Sequence, residues 1–400
     1  MRNILAFGEV YSANVGDGII FECLQHGMAE RGINVSPADL SLRTSYSSTA
    51  WNERSPGVGA TRRFARHFIR RSLALRRLIH LARWVSGERR QFIRNYRDAI
   101  HSSEGVIIGG GQILVDRQLF FPLRIGAIVT MARAAQKPIA VFSCGADSRR
   151  GWIARRIYRQ LVRNAGYISV RDRTSASALS ALDKRTSVRV HPDIGFLAAH
   201  VYPTTDIPSR NVLGINVMPY ETVATFAEGA KQVTRCDYIA FWRRLATSAA
   251  DRGWLVKLMT NGNHADFQTA CEIYSQIQFN GRVELAPRPA NPGELVETLS
   301  GIDCLIASRM HAGIVAHSLG KRVLPLVWDT KVKAVWDEVD PAIPLLHFDE
   351  LFGQDAKVAD ILDNILAPGE ARVHDGFIPR EQLRHRLDRA LDELAKFFKA

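Results

Sequence analysis

Ile302-Asp303-Cys304-Leu305-Ile306-Ala307-Ser308-Arg309-Met310-His311-Ala312 is the stretch whose reading decides the fold. Ile302 to Ala307 is a short apolar run, as expected of a parallel strand buried on both faces. Gly313 to Leu319 is small-residued and helical in character, stops at Gly320, and is followed by a second apolar run, Arg322 to Val327. The order is strand, loop, helix, strand, so Arg309 and His311 fall at the carboxyl end of a strand and the start of a helix. Open α/β sheets bind ligands at that edge. A helix N-terminus there offers N–H groups and a positive dipole end to an anion. Arginine adds a planar fork for carboxylate or phosphate, and histidine a group that exchanges protons near neutral pH. The competing reading has Arg309 paired with a surface carboxylate and His311 capping the helix.

The same alternation extends in both directions. Asn3 to Phe7 reads as a strand, followed by the loop Gly8 to Gly18 and a helix through Ile19, Ile20, Cys23, Leu24 and Met28. The loop is neither Gly-x-Gly-x-x-Gly nor a Walker loop, so it signals no dinucleotide or P-loop nucleotide. Asn14 and Asp17 suit either sugar hydroxyls or a helix cap. Val106 to Ile108 runs into Gly109-Gly110-Gly111, where three glycines leave room for a ligand or another backbone. Strands follow at Lys137 to Gly145 and Tyr167 to Asp172, then a strand-end cluster His191-Pro192-Asp193, with helices over Trp152 to Asn164 and from Ser175 to about Leu182. Pro203 to Arg210 has linker composition. A second series opens with Val212 to Val217, which carries Asn216. It continues with a helix from about Asp237 to Arg252, strands Trp254 to Met259 and Val283 to Leu285, and a helix Gly293 to Leu299. Arg380 to Phe398 is an amphipathic helix.

The expected fold class is therefore α/β, with two Rossmann-like domains facing a cleft and a C-terminal helix packing across. The domains are placed at residues 1–205, with a basic helical insert at about 54–97, and 206–378; the terminal helix occupies 379–400. Four hundred residues, 46% of them apolar and 23% charged, suit two soluble globular domains. The five cysteines are scattered and never spaced Cys-x-x-Cys, which points to buried thiols in a reducing compartment. No signal peptide or membrane-spanning run is read, so a cytoplasmic location is expected.

The net charge of +13 is concentrated: Arg54 to Arg97 holds thirteen arginines against the single acid Glu88. Phe64, Phe68, Leu73, Leu75, Leu78, Ile79, Leu81 and Val85 recur there at roughly helical spacing. A basic amphipathic helix or helix pair suits a peripheral contact with the inner face of an anionic membrane; a solvated face packed on its own domain is the equal alternative. Nucleic acid is not expected, because no reader motif accompanies the charge.

Taken in order, Asn14-Val15-Gly16-Asp17, Gly109-Gly110-Gly111-x-Ile113-Leu114, Ser169-Val170-Arg171-Asp172-x-x-Ser175, His191-Pro192-Asp193 and Ser308-Arg309-Met310-His311-Ala312, with Lys331 downstream, resemble the polysaccharide pyruvyl transferase family. The resemblance spans residues 14 to 331. It departs at the long basic insert and at Met310, where leucine is frequent; the latter exchange nearly conserves volume. It implies a fold like the two-domain GT-B glycosyltransferases. It also implies transfer of a pyruvyl group from phosphoenolpyruvate to a saccharide or lipid-linked saccharide, commonly as a ketal. Such a donor needs cations for its carboxylate and phosphate and an acid to protonate its enol carbon. His311 is the expected acid. Arg309 and Arg171 would hold the anionic groups, and Asp193 is a further catalytic candidate, for activating an acceptor hydroxyl. Asn14, Gly16, Asp17, Gly110, Gly111, Asn216, Lys331 and His191 are the expected substrate-binding set. No cofactor beyond the donor and no metal are expected, since no carboxylate cluster has ligand spacing. A GT-B glycosyltransferase using a nucleotide sugar is the alternative, and a non-catalytic scaffold ranks below it.

Overall fold

The computed structural model describes residues 2–47, 73–203, 210–227, 233–277, 281–348, 351, 356–366 and 378–400. The chain divides into two compact units. The first comprises Met1–Tyr11, Leu24–Ile194 and Arg386–Ala400; the second comprises Ser12–Cys23 and Gly195–His385. The division falls before the proline-rich stretch read as a linker, of which residues 204–209 lie outside the described residues. One short segment lies on the other side from the sequence reading: the loop and first helical turns after the first strand group with the second unit. The last helix, Arg380–Lys399, which the sequence reading set apart, ends in the first.

The first unit holds strands β1 (Arg2–Gly8), β2 (Ile33–Asp39), β3 (Gly105–Gly109), β4 (Ile139–Cys144), β5 (Tyr167–Val170) and β6 (Arg189–Val190). They form one parallel sheet in the order β2-β1-β3-β4-β5-β6. Strands β3 and β4 are buried along their whole length, which is why their sequences are apolar apart from Ser143. The segment Ile33–Asp39, absent from the strands expected from sequence, carries Pro37. Its place at the sheet edge tolerates a residue with no N–H to donate. On this sheet, helix Arg89–Ser102 packs against helix Phe120–Ala134, which packs in turn against helix Trp152–Asn164. Within the basic segment, residues 54–72 lie outside the described residues; the remainder forms helix Leu73–Arg83, a π-helical turn Trp84–Glu88 and helix Arg89–Ser102.

The second unit holds β7 (Val212–Asn216), β8 (Leu255–Met259), β9 (Val283–Leu285), β10 (Cys304–Ala307), β11 (Arg322–Val327) and β12 (Leu346–His347). They too are all parallel, in the order β12-β11-β10-β7-β8-β9. The chain winds outward from β7 to β8 and β9, then returns to the other side of β7 for β10. The carboxyl ends of β7 and β10 therefore flank the switch point, where such sheets bind ligands. In the first sheet the corresponding switch lies between β1 and β3.

At the end of β5, Arg171 is fully enclosed. Its Nη1 donates to Asp193 Oδ2 at 3.0 Å and its Nη2 to Gln112 Oε1 at 2.7 Å, both partners belonging to the same unit. Arg171 and Asp193 side chains are each 0% exposed, so removing either leaves a charge in a medium that cannot solvate it. Asp193→Ala should cost about 3–5 kcal/mol in urea unfolding. The double change Arg171→Met with Asp193→Leu should cost distinctly less. An Asp193→Ala midpoint equal to wild type would refute this account.

Candidate functional site in the second unit

The loop Ser12–Asp17 enters helix Gly16–Ala29, and Val15 N–H donates to the carbonyl of Asn261 at 2.9 Å, beyond the end of β8. This bond seats the loop over the switch point of the second sheet. Gly16 is required there by space: a Cβ on it would lie 2.8 Å from the Cβ of His311 and 3.1 Å from Asn261 Nδ2. One residue on, Asp17 Oδ1 sits 3.1 Å from His311 Nδ1, and Asn14 Nδ2 donates to the other carboxylate oxygen at 3.2 Å. Burial pushes the Asp17 carboxyl up. The hydrogen bond from His311 and its charge more than reverse this, aided by Ser12 and Arg309, so Asp17 lies below its ordinary 3.8. His311 itself is 7% exposed, in the first turn of helix Met310–Ser318.

A buried amide organises the strand ends. Asn216, at the end of β7, accepts the Arg309 N–H on Oδ1 at 2.9 Å and donates from Nδ2 to Asn261 Oδ1 at 3.0 Å. Ser308 N–H donates to the Asn216 carbonyl at 3.0 Å. Arg309 is the N-cap residue of helix Met310–Ser318 yet gives no side-chain cap. Its Nε and Nη2 instead grip both carboxylate oxygens of Asp266, at 2.7 and 2.6 Å. Asp266 is 0% exposed. Burial disfavours charge on both partners: it raises Asp266, which Arg309 only partly offsets, and lowers Arg309, where the bonds to Asp266 prevail and leave it above its ordinary value. The direction that carries weight is that of Arg309, because a protonated guanidinium is what keeps a paired aspartate tolerable in the interior.

At this sheet edge the buried side-chain atoms Asn14 Oδ1, Thr260 Oγ1, Asn261 Nδ2 and Ser308 Oγ have no hydrogen-bond partner among the described residues. Thr260, Asn261 and Ser308 are each at most 2% exposed. Orphaned polar atoms gathered at one sheet edge call for a ligand. Lys331, in the first turn of helix Thr330–Trp336, lies 4.5 Å from the ring centroid of Trp328, whose indole N–H donates to the Ser308 carbonyl at 2.7 Å.

Of the residues proposed from sequence, Asn14, Gly16, Asp17, Asn216, Arg309, His311 and Lys331 thus belong to one unit and one strand-end cluster. Gly110, Gly111, Arg171, His191 and Asp193 belong to the other. There, Gly110 and Gly111 have φ of +80° and +71°, and the Gly111 carbonyl accepts from Gly145 N–H at 2.8 Å. Backbone conformation alone thus demands glycine at both positions. The fork of Arg171 faces Asp193 and Gln112, and that of Arg309 faces Asp266; neither presents its bidentate edge outward. His191 lies between Tyr167 Oη at 3.4 Å and Glu393 at 3.7 Å, and burial pushes its imidazole down against the opposing charge of Glu393. Asp266, Asn261 and Gln112 were not singled out from sequence. Ser175, where a helix was expected to begin, is that helix's third residue; Asp172 is the cap and accepts the Ser175 N–H.

Residues 14–330 match the family described as polysaccharide pyruvyl transferase. A comparison with curated protein sequences finds no match. Among solved structures, UDP-GlcNAc 2-epimerase from Methanocaldococcus jannaschii is similar with a TM-score of 0.58 at 8% identity, over 98% of this chain and 100% of that one. The S. aureus MnaA-UDP co-structure gives 0.55 at 12% identity over 98% and 95%. UDP-GlcNAc 2-epimerase from Neisseria meningitidis bound to UDP-GlcNAc gives 0.53 at 11% over 99% of each. At such identities the likeness is one of fold, and the fold is GT-B-like: two parallel six-stranded sheets clothed in helices. With the match spanning most of its length, the chain belongs to the polysaccharide pyruvyl transferase family, a family of transferases.

Proposed function

We propose that the chain transfers the pyruvyl group of phosphoenolpyruvate to two hydroxyls of a polysaccharide or its lipid-linked precursor, forming a ketal and releasing phosphate. The observation that carries this reading is the Asp17–His311 pair at the switch point, 3.1 Å apart and largely withdrawn from water. With Nδ1 directed at a carboxylate, the imidazole exchanges protons through Nε2, and the carboxylate stabilises the imidazolium that must form. Protonation of C3 by His311 makes C2 electrophilic. A sugar hydroxyl oxygen bonds to C2, the bond from C2 to the phosphate oxygen breaks, and a second hydroxyl closes the ketal. Two hydroxyl protons are released: one restores His311 and the other leaves with phosphate. The uncapped start of helix Met310–Ser318, with Ser308 Oγ and Asn261 Nδ2, suits an anionic group of the donor. Arg309 contributes positive charge from behind, and Lys331 adds a second cation. Arg171 and Asp193 are read here as a strut. The donor is a cytosolic metabolite, so the reaction belongs to the cytoplasmic side.

Phosphoenolpyruvate should raise the melting temperature of the wild-type chain by mass action, with nucleotide sugars giving no rise. In His311→Gln that rise should persist while phosphate release falls about 10²–10⁴-fold. A rise with a nucleotide sugar and none with phosphoenolpyruvate would promote glycosyl transfer instead.

Because Asp17 is depressed in the folded chain, its stabilisation is present in full above its ordinary 3.8 and is lost as pH falls through the lower folded value. The melting temperature of Asp17→Asn should therefore trail wild type at pH 7, with the gap closing below pH 3.8. A gap of equal size at both ends of that range would contradict the ion pair.

A further inference from the structure

The first unit exposes large apolar side chains on its basic helices. Along the run from Leu73 to Ser102 the exposed positions include Leu75, Leu78, Ala82 and Val85, spaced three, four and three apart, with Leu78 at 62% and Val85 at 70% exposure. That spacing marks one helical face turned outward. The opposite side is anchored: Trp84 is 6% exposed, with the Arg124 guanidinium 5.3 Å from its ring centroid, and Phe92 is 1% exposed. The largest exposed apolar residue of the described chain, Trp152 at 77%, opens the neighbouring helix Trp152–Asn164.

One buried carboxylate joins the two. Asp116, whose side chain is 1% exposed, accepts from Arg77 Nη2 at 2.6 Å and from Gly151 N–H at 2.8 Å. Leu78 follows the first donor in sequence and Trp152 the second, so the segments that carry the aliphatic stripe and the indole are tied to the same carboxylate. Basic groups surround it. Residues 73–102 hold seven arginines against Glu88 and Asp98, and residues 149–164 hold six arginines and no acid. Glu88 is already taken by Arg83 and Arg124. Arg89, Arg90, Arg94, Arg97, Arg155 and Arg156 are exposed and make no ion pair among the described residues.

We infer that this face docks the enzyme on an anionic lipid surface, with Leu78, Val85 and Trp152 entering the headgroup–acyl boundary and the arginines meeting the lipid phosphates. A solvated basic face has no need of an outward Trp and aliphatic stripe, and an acidic polymer offers no apolar phase to bury them. An anionic bilayer interface supplies both partners, and tryptophan is the residue that favours that depth. The assignment stands on this surface alone and does not rest on the donor proposed above.

Flotation of the full chain with vesicles of phosphatidylcholine alone, or mixed with phosphatidylglycerol, tests it. Wild type should rise with the anionic vesicles only. Arg89→Gln with Arg90→Gln should weaken binding about five-fold per arginine. Leu78→Glu with Val85→Glu, and separately Trp152→Ala, should each weaken it about ten-fold or more, with unchanged melting temperatures because all three positions are exposed. Failure of wild type to float with anionic vesicles would overturn the inference. So would binding that falls in the arginine variant and is untouched in both apolar variants, since that would be adsorption by charge alone.

Discussion

Where a parallel sheet ends, its ladder of backbone hydrogen bonds ends too, and each strand leaves polar groups to be satisfied by whatever follows. In the second unit one fully buried side chain, Asn216, assumes that task for three strands. Its amide continues β7 toward β8 through Asn261 and toward β10 through the Arg309 N–H. No aliphatic residue could do this, and aspartate could only accept. The amide thus fixes where β10 releases the chain into helix Met310–Ser318, and hence where His311 points. Asn261 also receives, on its backbone carbonyl, the N–H of Val15 that brings Asp17 to His311. The Asp17–His311 pair is the last link in a chain of bonds that begins at Asn216.

Both units solve a second problem alike. An arginine follows the end of an inner strand, β5 in the first and β10 in the second, and an aspartate from another segment holds its fork: Asp193 for Arg171, Asp266 for Arg309. A buried arginine without such a partner is untenable, so each pair ties a strand-end loop to an element remote in sequence. Catalysis at a loop demands that the loop hold one shape, and a pair that cannot be broken cheaply enforces it.

The alternation of apolar runs with small-residue or polar turns made most strands readable, as for β3, β4, β7, β8, β10 and β11. Edge strands were harder. Pro37 disguises β2, and β12 is two residues long in an apolar stretch broken by Pro341 and Pro344. Helix Phe120–Ala134 passed unread because it is apolar almost all round, so it lacks the polar face that marks an amphipathic helix; it lies between two other helices. At the site, residue type and position at a strand end singled out Arg309, His311 and Asp17, which the structure gathers at one sheet edge. What that reading could not supply was partnership. Asp266 looked like an ordinary first-turn acid, and nothing local announces that its carboxylate reaches Arg309, 43 positions on. A planar fork reads as a ligand-binding group until its acid is located.

The three glycines after β3 teach a related caution. Gly110 and Gly111 lie in the left-handed region and Gly109 passes close to the Phe142 carbonyl, so the turn needs glycine for the sake of its own backbone. Gly16 is different. Its φ is unremarkable, and what forbids a side chain there is the Cβ of His311, with the Asn261 amide beside it. A glycine kept for backbone reasons says nothing about chemistry, whereas one kept clear for a histidine marks the point where the loop must close on the group it serves. Had the loop carried alanine at residue 16, its Cβ would have to displace His311 or lift the loop, and either movement would stretch the 3.1 Å contact to Asp17. The smallest residue in the loop therefore sets how closely Asp17 can approach His311, and with it the geometry of the pair on which the proposed proton transfer depends.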